Sequence, residues 1–191
     1  MAALLRVNPV EESIELPLKV NDSLKVPVSM SVKLMNQLGV FVDDLVRISL
    51  GNKQLPLPLQ ATDDSNEEFI KISCIEALNL GLESATTTRV QVLPVVAEIS
   101  KATRVSVRIW GMTLDIITNQ KFPLSYIQCG TLKAVRVEKE VCLVQVVSIN
   151  DSEQSDLCYQ VASDTIFSVA VEYDKPELPL FPATRHTRAS V

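Results

Sequence analysis

The sequence predicts a mostly β (α+β) fold, and three features carry that prediction. Valine, isoleucine, threonine and serine recur in short segments of strand length, separated by Asp, Asn, Gly and Pro. Only two segments carry a helical pattern, and both are short. Those two occupy matching places in an internal repeat, which binds the first half of the chain into one unit. With 191 residues, 47 % hydrophobic and 21 % charged, the composition is that of a globular protein. A chain of that size buries roughly 70 % of its unfolded surface and needs neither metal nor disulfide to fold.

The repeat sets the elements of the first half. Residues 28–50 align without gaps on residues 70–92, at a constant offset of 70 − 28 = 42. Ser31 falls on Ser73, Leu38 on Leu80, Gly39 on Gly81 and Arg47 on Arg89. The pairs Val28/Ile70, Met30/Ile72, Val40/Leu82, Ile48/Val90 and Leu50/Val92 stay apolar. Each copy predicts the same path. A strand ends at a serine whose side-chain oxygen can cap the N–H groups of the following helix. About two turns of helix follow, stopped by a glycine in the left-handed conformation, Gly39 or Gly81. A polar turn, Val42-Asp43-Asp44 or Ser84-Ala85-Thr86, then leads into a second strand over 46–50 or 89–93. Two copies are too few for a solenoid. Related by a pseudo-twofold and closed into a barrel, they leave no open sheet edge. Between the copies, Leu55-Pro56-Leu57-Pro58-Leu59-Gln60-Ala61 alternates apolar residues with prolines, as an edge strand guarded against aggregation does.

The second half predicts strands over 105–109, 131–137, 141–149 and 166–171. In Val105-Ser106-Val107-Arg108-Ile109, alternation puts three apolar side chains on one face and two polar ones on the other. From residue 174 the chain changes character. Pro176, Pro179 and Pro182 interrupt regular structure, and Arg185, His186 and Arg188 give a basic end, a linker or a tail. The expected divisions are 1–95 for the barrel lobe, 96–173 for a second, smaller β lobe and 174–191 for the linker or tail.

Composition also excludes. Eighteen basic against 23 acidic side chains leave a net charge of −5, opposite in sign to a nucleic-acid footprint. A single histidine, His186, comes close to excluding chemistry built on histidine bases or clustered histidine ligands. Cys74, Cys129, Cys142 and Cys158 form no C-x-x-C pair and lie in apolar runs, as buried free thiols of a reducing compartment would. No apolar stretch has the length of a signal core or a membrane span, so the expected location is cytoplasmic or nuclear. None of the five glycines begins a G-x-x-x-x-G-K-[ST] phosphate loop, so ATP is not an expected ligand. Asp164-Thr165-Ile166 lacks the glycine and the second copy of an aspartic-protease motif, and Glu11-Glu12 and Asp63-Asp64 sit in polar runs. No catalytic residue, cofactor site or metal site is expected.

Val28-Ser29-Met30-Ser31, the short helix, Leu38-Gly39-Val40 and Asp43-Asp44-Leu45-Val46-Arg47-Ile48 together resemble the double-psi barrel lobe of valosin-containing-protein-type AAA ATPases. The second copy, running into Arg89-Val90-Gln91-Val92-Leu93-Pro94, resembles the second psi motif of that lobe. Gly130-Thr131, the strand over 141–149 and Cys158-Tyr159-Gln160-Val161-Ala162-Ser163-Asp164-Thr165-Ile166 are similar to the β-clam lobe that completes such N-terminal domains. The resemblance spans about residues 5–173. It departs at Glu83-Ser84-Ala85, where the family places a Gly-Asp turn, and over 99–131, which is shorter.

The resemblance implies a non-catalytic adaptor- and substrate-recognition domain of a hexameric unfoldase, with ATP and magnesium confined to a separate motor and oligomerisation left to its ring. Phe122-Pro123, Tyr126 and Cys129 resemble the branch that matures the large ribosomal subunit, and the peroxisomal branch stays open beside it. The implied partners are proteins, held in a groove between the lobes. Leu57, Leu59 and Ala61 would form its barrel wall, Phe122 and Tyr126 the clam wall, with Lys53 and Lys121 at the rim steering acidic adaptors. A stand-alone nucleic-acid-binding barrel is the alternative, and it requires a contiguous Lys/Arg face. A pyruvoyl-dependent decarboxylase on a psi-barrel requires a Gly-Ser cleavage site, and the chain has no Gly-Ser dipeptide.

Overall fold

The computed structural model describes residues 13–174, apart from 22, 25, 63–66, 83–87, 96–98, 112–123, 138–139 and 154–156. The first lobe holds β1 (Ile14–Asn21), β2 (Val28–Ser31), α1 (Val32–Leu38), β3 (Leu45–Leu50), β4 (Lys53–Thr62), β5 (Ile70–Ser73), α2 (Cys74–Asn79) and β6 (Arg89–Pro94). The second holds β7 (Ser100–Trp110), β8 (Tyr126–Gln128), β9 (Leu132–Val137), β10 (Glu140–Ile149) and β11 (Cys158–Glu172). The protein is mostly β, as predicted.

The first six strands close into a barrel in the order β1-β5-β2-β4-β3-β6. The repeat is its pseudo-twofold. β2 lies parallel to β4, and β5 parallel to β1. The axis crosses the barrel where equivalent residues pair with each other: Ser29 with Lys71 between β2 and β5, and Ser49 with Gln91 between β3 and β6. Both pairs keep the offset of 42 (71 − 29 and 91 − 49). The loop after α1 is tied to β4, the Asp43 N–H donating to the Leu59 carbonyl at 2.8 Å and the Leu59 N–H to the Asp44 carbonyl at 3.0 Å. In the second copy the Leu18 N–H donates to the Thr88 carbonyl at 2.8 Å. This order of crossovers is compatible with a double-psi barrel.

The local punctuation matches the repeat. Ser31 and Ser73 accept from the backbone N–H of Leu34 and Glu76, three residues on, capping α1 and α2. At the other end, the Val40 and Leu82 N–H groups reach back to the carbonyls of Met35 and Ala77, and Gly39 and Gly81 bond Asn36 and Leu78. That pattern needs a left-handed residue, and φ is +66° at Gly39 and +81° at Gly81. No atom lies within 4 Å of a Cβ built at either glycine, so an alanine there meets backbone strain and nothing else. Gly39→Ala and Gly81→Ala should therefore each lower stability by about 1–2 kcal/mol, with Gly39→Asn recovering part of the loss. Thermal melts of the variants check this, and an unmoved midpoint for both alanines would contradict it.

The barrel interior is filled from every strand, with Val46, Ile48, Leu59, Ile70, Ile72 and Val92 among its most buried residues. The second lobe is a five-stranded sheet in the order β8-β11-β7-β10-β9, with β11 parallel to β7 and the other neighbours antiparallel. Its own core gathers Val105, Val107, Ile109, Ile127, Val135, Val144 and Val146. Asp164-Thr165-Ile166 falls at a bulge of β11, between the pairs Val161–Ala102 and Ile166–Arg104. There the Thr165 hydroxyl donates to the Ala102 carbonyl at 2.7 Å and accepts from the Ala162 N–H at 2.9 Å, and Asp164 is exposed. The motif is a structural stitch.

The cysteines correct one expectation. None of the four forms a disulfide, but only Cys142 is buried, while Cys74, Cys129 and Cys158 keep partial exposure. Cys74 opens α2, Cys129 lies in the turn after β8 and Cys158 opens β11, so these three sit at the ends of elements, whereas Cys142 lies inside β10. Among the described residues no helix is long and apolar enough to cross a membrane.

A candidate partner groove between the lobes

The two lobes meet through α2 and β9. Ile75 of α2 packs with Trp110, Leu132 and Leu143 of the second sheet, and Leu24, Leu78 and Ala134 close around them. The last residue of α2, Asn79, reaches across with both ends of its carboxamide. Its Nδ2 donates to the Leu132 carbonyl and its Oδ1 accepts the Leu132 N–H, each at 2.8 Å. The side chain thus pairs with β9 as a strand residue would. This contact fixes one lobe against the other and leaves a space beside it.

That space is a cavity of about 600 Å³ walled by both lobes. The barrel contributes Val26, Pro27, Leu57, Pro58 and Gln60, and the second sheet Tyr126, Ala134, Val135, Gln160 and Val161. Asp43 stands at its barrel edge, held in a left-handed turn with φ of +70°. The Gln60 amide donates to its carboxylate at 2.6 Å, and the Asp44 carboxylate accepts the Phe41 N–H at 2.9 Å. This turn displays the exposed Phe41 and Val42 to solvent.

Two opposite charges face the cavity from opposite lobes, Glu76 of α2 and Lys133 of β9. Burial pushes the Glu76 carboxyl above the usual carboxylate range, against the pull of Lys133 and of the backbone N–H groups of Glu76 and Ser73. The contact to Ser73 completes a capping box, since Ser73 in turn caps the Glu76 N–H. The second carboxylate oxygen, Oε2, is buried with no hydrogen-bond partner among the described residues. Lys133 keeps some exposed surface, yet the protein packed around it lowers its pKa, and the nearby Glu76 and Cys158 offset this in part. Cys158 is pushed up by burial, with Lys133 and Arg47 acting the other way. Both members of the Glu76–Lys133 pair are thus short of solvation, and both gain from a polar group entering between them.

The structure sorts the sequence-derived groove residues. Tyr126 lines the cavity from the second sheet, and Leu57 borders it from the barrel while belonging to the barrel core. Leu59 does not form a wall: it is 0 % exposed in the middle of the barrel. Ala61 is exposed but stands off the cavity lining. Lys53 opens β4 at the far hairpin, roughly 13 Å along the strand from Leu57, too far to serve as rim. Phe122 and Lys121 lie outside the described residues. The wall is instead made by Pro58 and Gln60, the opposite parity of β4. Strand alternation alone would have found them, because a row Leu55-Leu57-Leu59 turned inward turns Pro58 and Gln60 outward. Glu76, Lys133 and Asn79 carried no sequence signal of their own beyond the capping pattern Ser73-x-x-Glu76.

No protein-family model matches the chain, and a search of curated proteins finds no match to it.

Proposed function

We propose that the chain is a non-catalytic protein-recognition domain that seats a segment of a partner protein in the cavity between its lobes, in the manner of the N-terminal domain of a valosin-containing-protein-type AAA ATPase. One observation carries the reading: a pseudo-twofold barrel is fixed to a second sheet so that about 600 Å³ stays open between them. An apolar floor of Leu57, Val135 and Val161 with polar Gln60, Gln160 and Tyr126 around it suits a peptide segment. The repeat and its paired serines and glycines support the family, and the residues around Tyr126 and Cys129 favour the ribosome-maturation branch. In this role the chemistry belongs to an ATPase ring, on the same chain or assembled with it.

The test combines proximity labelling with titration. A biotin ligase fused to the chain should label an AAA ATPase subunit and its adaptors in cells. Purified adaptor should then bind the Gln60→Trp/Gln160→Trp variant, whose bulk fills the cavity without changing its charge, at least about tenfold more weakly than wild type, roughly 1.4 kcal/mol, with the melting midpoint little changed. ATP with magnesium should leave the midpoint of the chain alone unmoved, whereas a ligand at a hundredfold excess over its Kd adds about 2.7 kcal/mol. Equal binding by the folded double variant would move the site off the cavity.

A further inference from the structure

β9 is an edge strand. It pairs with β10 on one side only, and its other side opens next to the cavity, which Lys133, Ala134 and Val135 line. In an antiparallel ladder, residues alternate between sending both backbone groups to the neighbour and sending both away. Leu132 sends its pair away from β10, to the carboxamide of Asn79. Ala134 and Arg136 share its parity, so their N–H and C=O groups point the same way. No hydrogen bond among the described residues meets them. Asn79 fills the first rung of this edge, and α2 ends there.

The charge on the strand selects what could continue the ladder. Lys133 and Arg136 lie at positions of opposite parity, which puts a cation on each face of β9. Glu76, the barrel-side carboxylate that acts on Lys133, is held at the start of α2 by its capping contacts. A strand laid along β9 therefore meets basic side chains above and below it, and two carboxylates three positions apart, one on each face, would answer both.

We infer that the open edge of β9 takes an extended, acidic segment of a partner protein as a sixth strand, bonded main chain to main chain at Ala134 and Arg136. This rests on reading the inter-lobe cavity as a protein-binding groove, and it adds the backbone geometry and the charge of the occupant.

The probe is the acetylated, amidated hexapeptide Val-Glu-Val-Val-Glu-Val, whose two glutamates face opposite sides of an extended strand, titrated into the whole chain and followed by amide hydrogen exchange. Binding should protect the amides of Ala134 and Arg136. Methylating alternate peptide nitrogens should weaken binding at least about tenfold, and replacing the glutamates by lysines should abolish it. Ala134→Pro removes one outward N–H without touching the β10 ladder and should weaken binding similarly, as Pro is tolerated on that side of an edge strand. If that variant misfolds, the methylated peptide still decides, because it leaves the protein untouched. Equal binding of the methylated peptide, or no binding at about 1 mM, overturns strand addition. Protection confined to Gln60 and Tyr126 also overturns it while upholding the groove, whereas a true adaptor indifferent to the Gln60→Trp/Gln160→Trp variant fails the groove itself.

Discussion

Leu59→Ala should destabilise the protein by about 2–5 kcal/mol, and Leu59→Asp should keep the barrel from folding. The side chain is fully enclosed, and in register it faces Val28 across the parallel pair β2–β4. Its backbone N–H and C=O hold the loop after α1 through Asp44 and Asp43, so the residue sits where strand pairing and crossover loop meet. Truncation to alanine removes the burial and leaves a cavity in a closed barrel with little freedom to collapse. An aspartate would place a carboxylate there with no cation or donor prepared for it, at several kcal/mol. Against a typical total of about 5–15 kcal/mol, that loss is decisive. Denaturant unfolding measures the alanine variant, and near-ultraviolet circular dichroism shows whether the aspartate variant has a native core. Gln60→Ala, one residue on and facing the cavity, is the control and should change stability little. A native, cooperatively melting Leu59→Asp would mean that the side chain reaches solvent.

The contrast between Leu59 and Gln60 shows what was legible in the sequence and what was not. The repeat at an offset of 42 gave both strand–helix–strand units, because serine and glycine mark joints where the backbone has few alternatives. It could not give β1, which precedes the first copy and carries Pro17 within an otherwise alternating strand. In the second half, expected strands over 105–109 and 166–171 are parts of longer β7 and β11, since alternation fades where a strand is flanked on both faces or broken by a bulge. A cavity does lie between the lobes beside Leu57 and Tyr126, but the residues that make its surface were not legible. Assigning Leu57, Leu59 and Ala61 to one wall treats apolar residues as free to line a groove, when the same row is needed to fill the barrel. Glu76, Asn79 and Lys133 become meaningful only once α2 is set against β9, a juxtaposition of residues 53 positions apart that no local pattern encodes.

That juxtaposition yields the second large effect: Asn79→Ala should cost about 1–3 kcal/mol and loosen the two lobes from each other. The carboxamide meets one donor and one acceptor of Leu132, both at 2.8 Å, beside the apolar contact of Ile75, Trp110 and Leu143. Alanine keeps the helix but leaves that N–H and C=O without partners at a junction that water reaches poorly, and the desolvation of unpaired groups dominates the loss. In a chain of this size, about 2 kcal/mol lowers the melting midpoint by roughly 4–8 °C. Asn79→Asp separates the two bonds: its carboxylate still accepts from the Leu132 N–H but faces the carbonyl with no hydrogen to offer, so it should fall below wild type as well. A purely helix-ending role for Asn79 would predict nearly equal stability for alanine, whereas a junction role predicts a second unfolding transition as the lobes uncouple. Calorimetric scans of wild type and both variants distinguish the two. A single transition at the wild-type midpoint in Asn79→Ala would show that packing of Ile75 against Trp110 holds the lobes without the carboxamide.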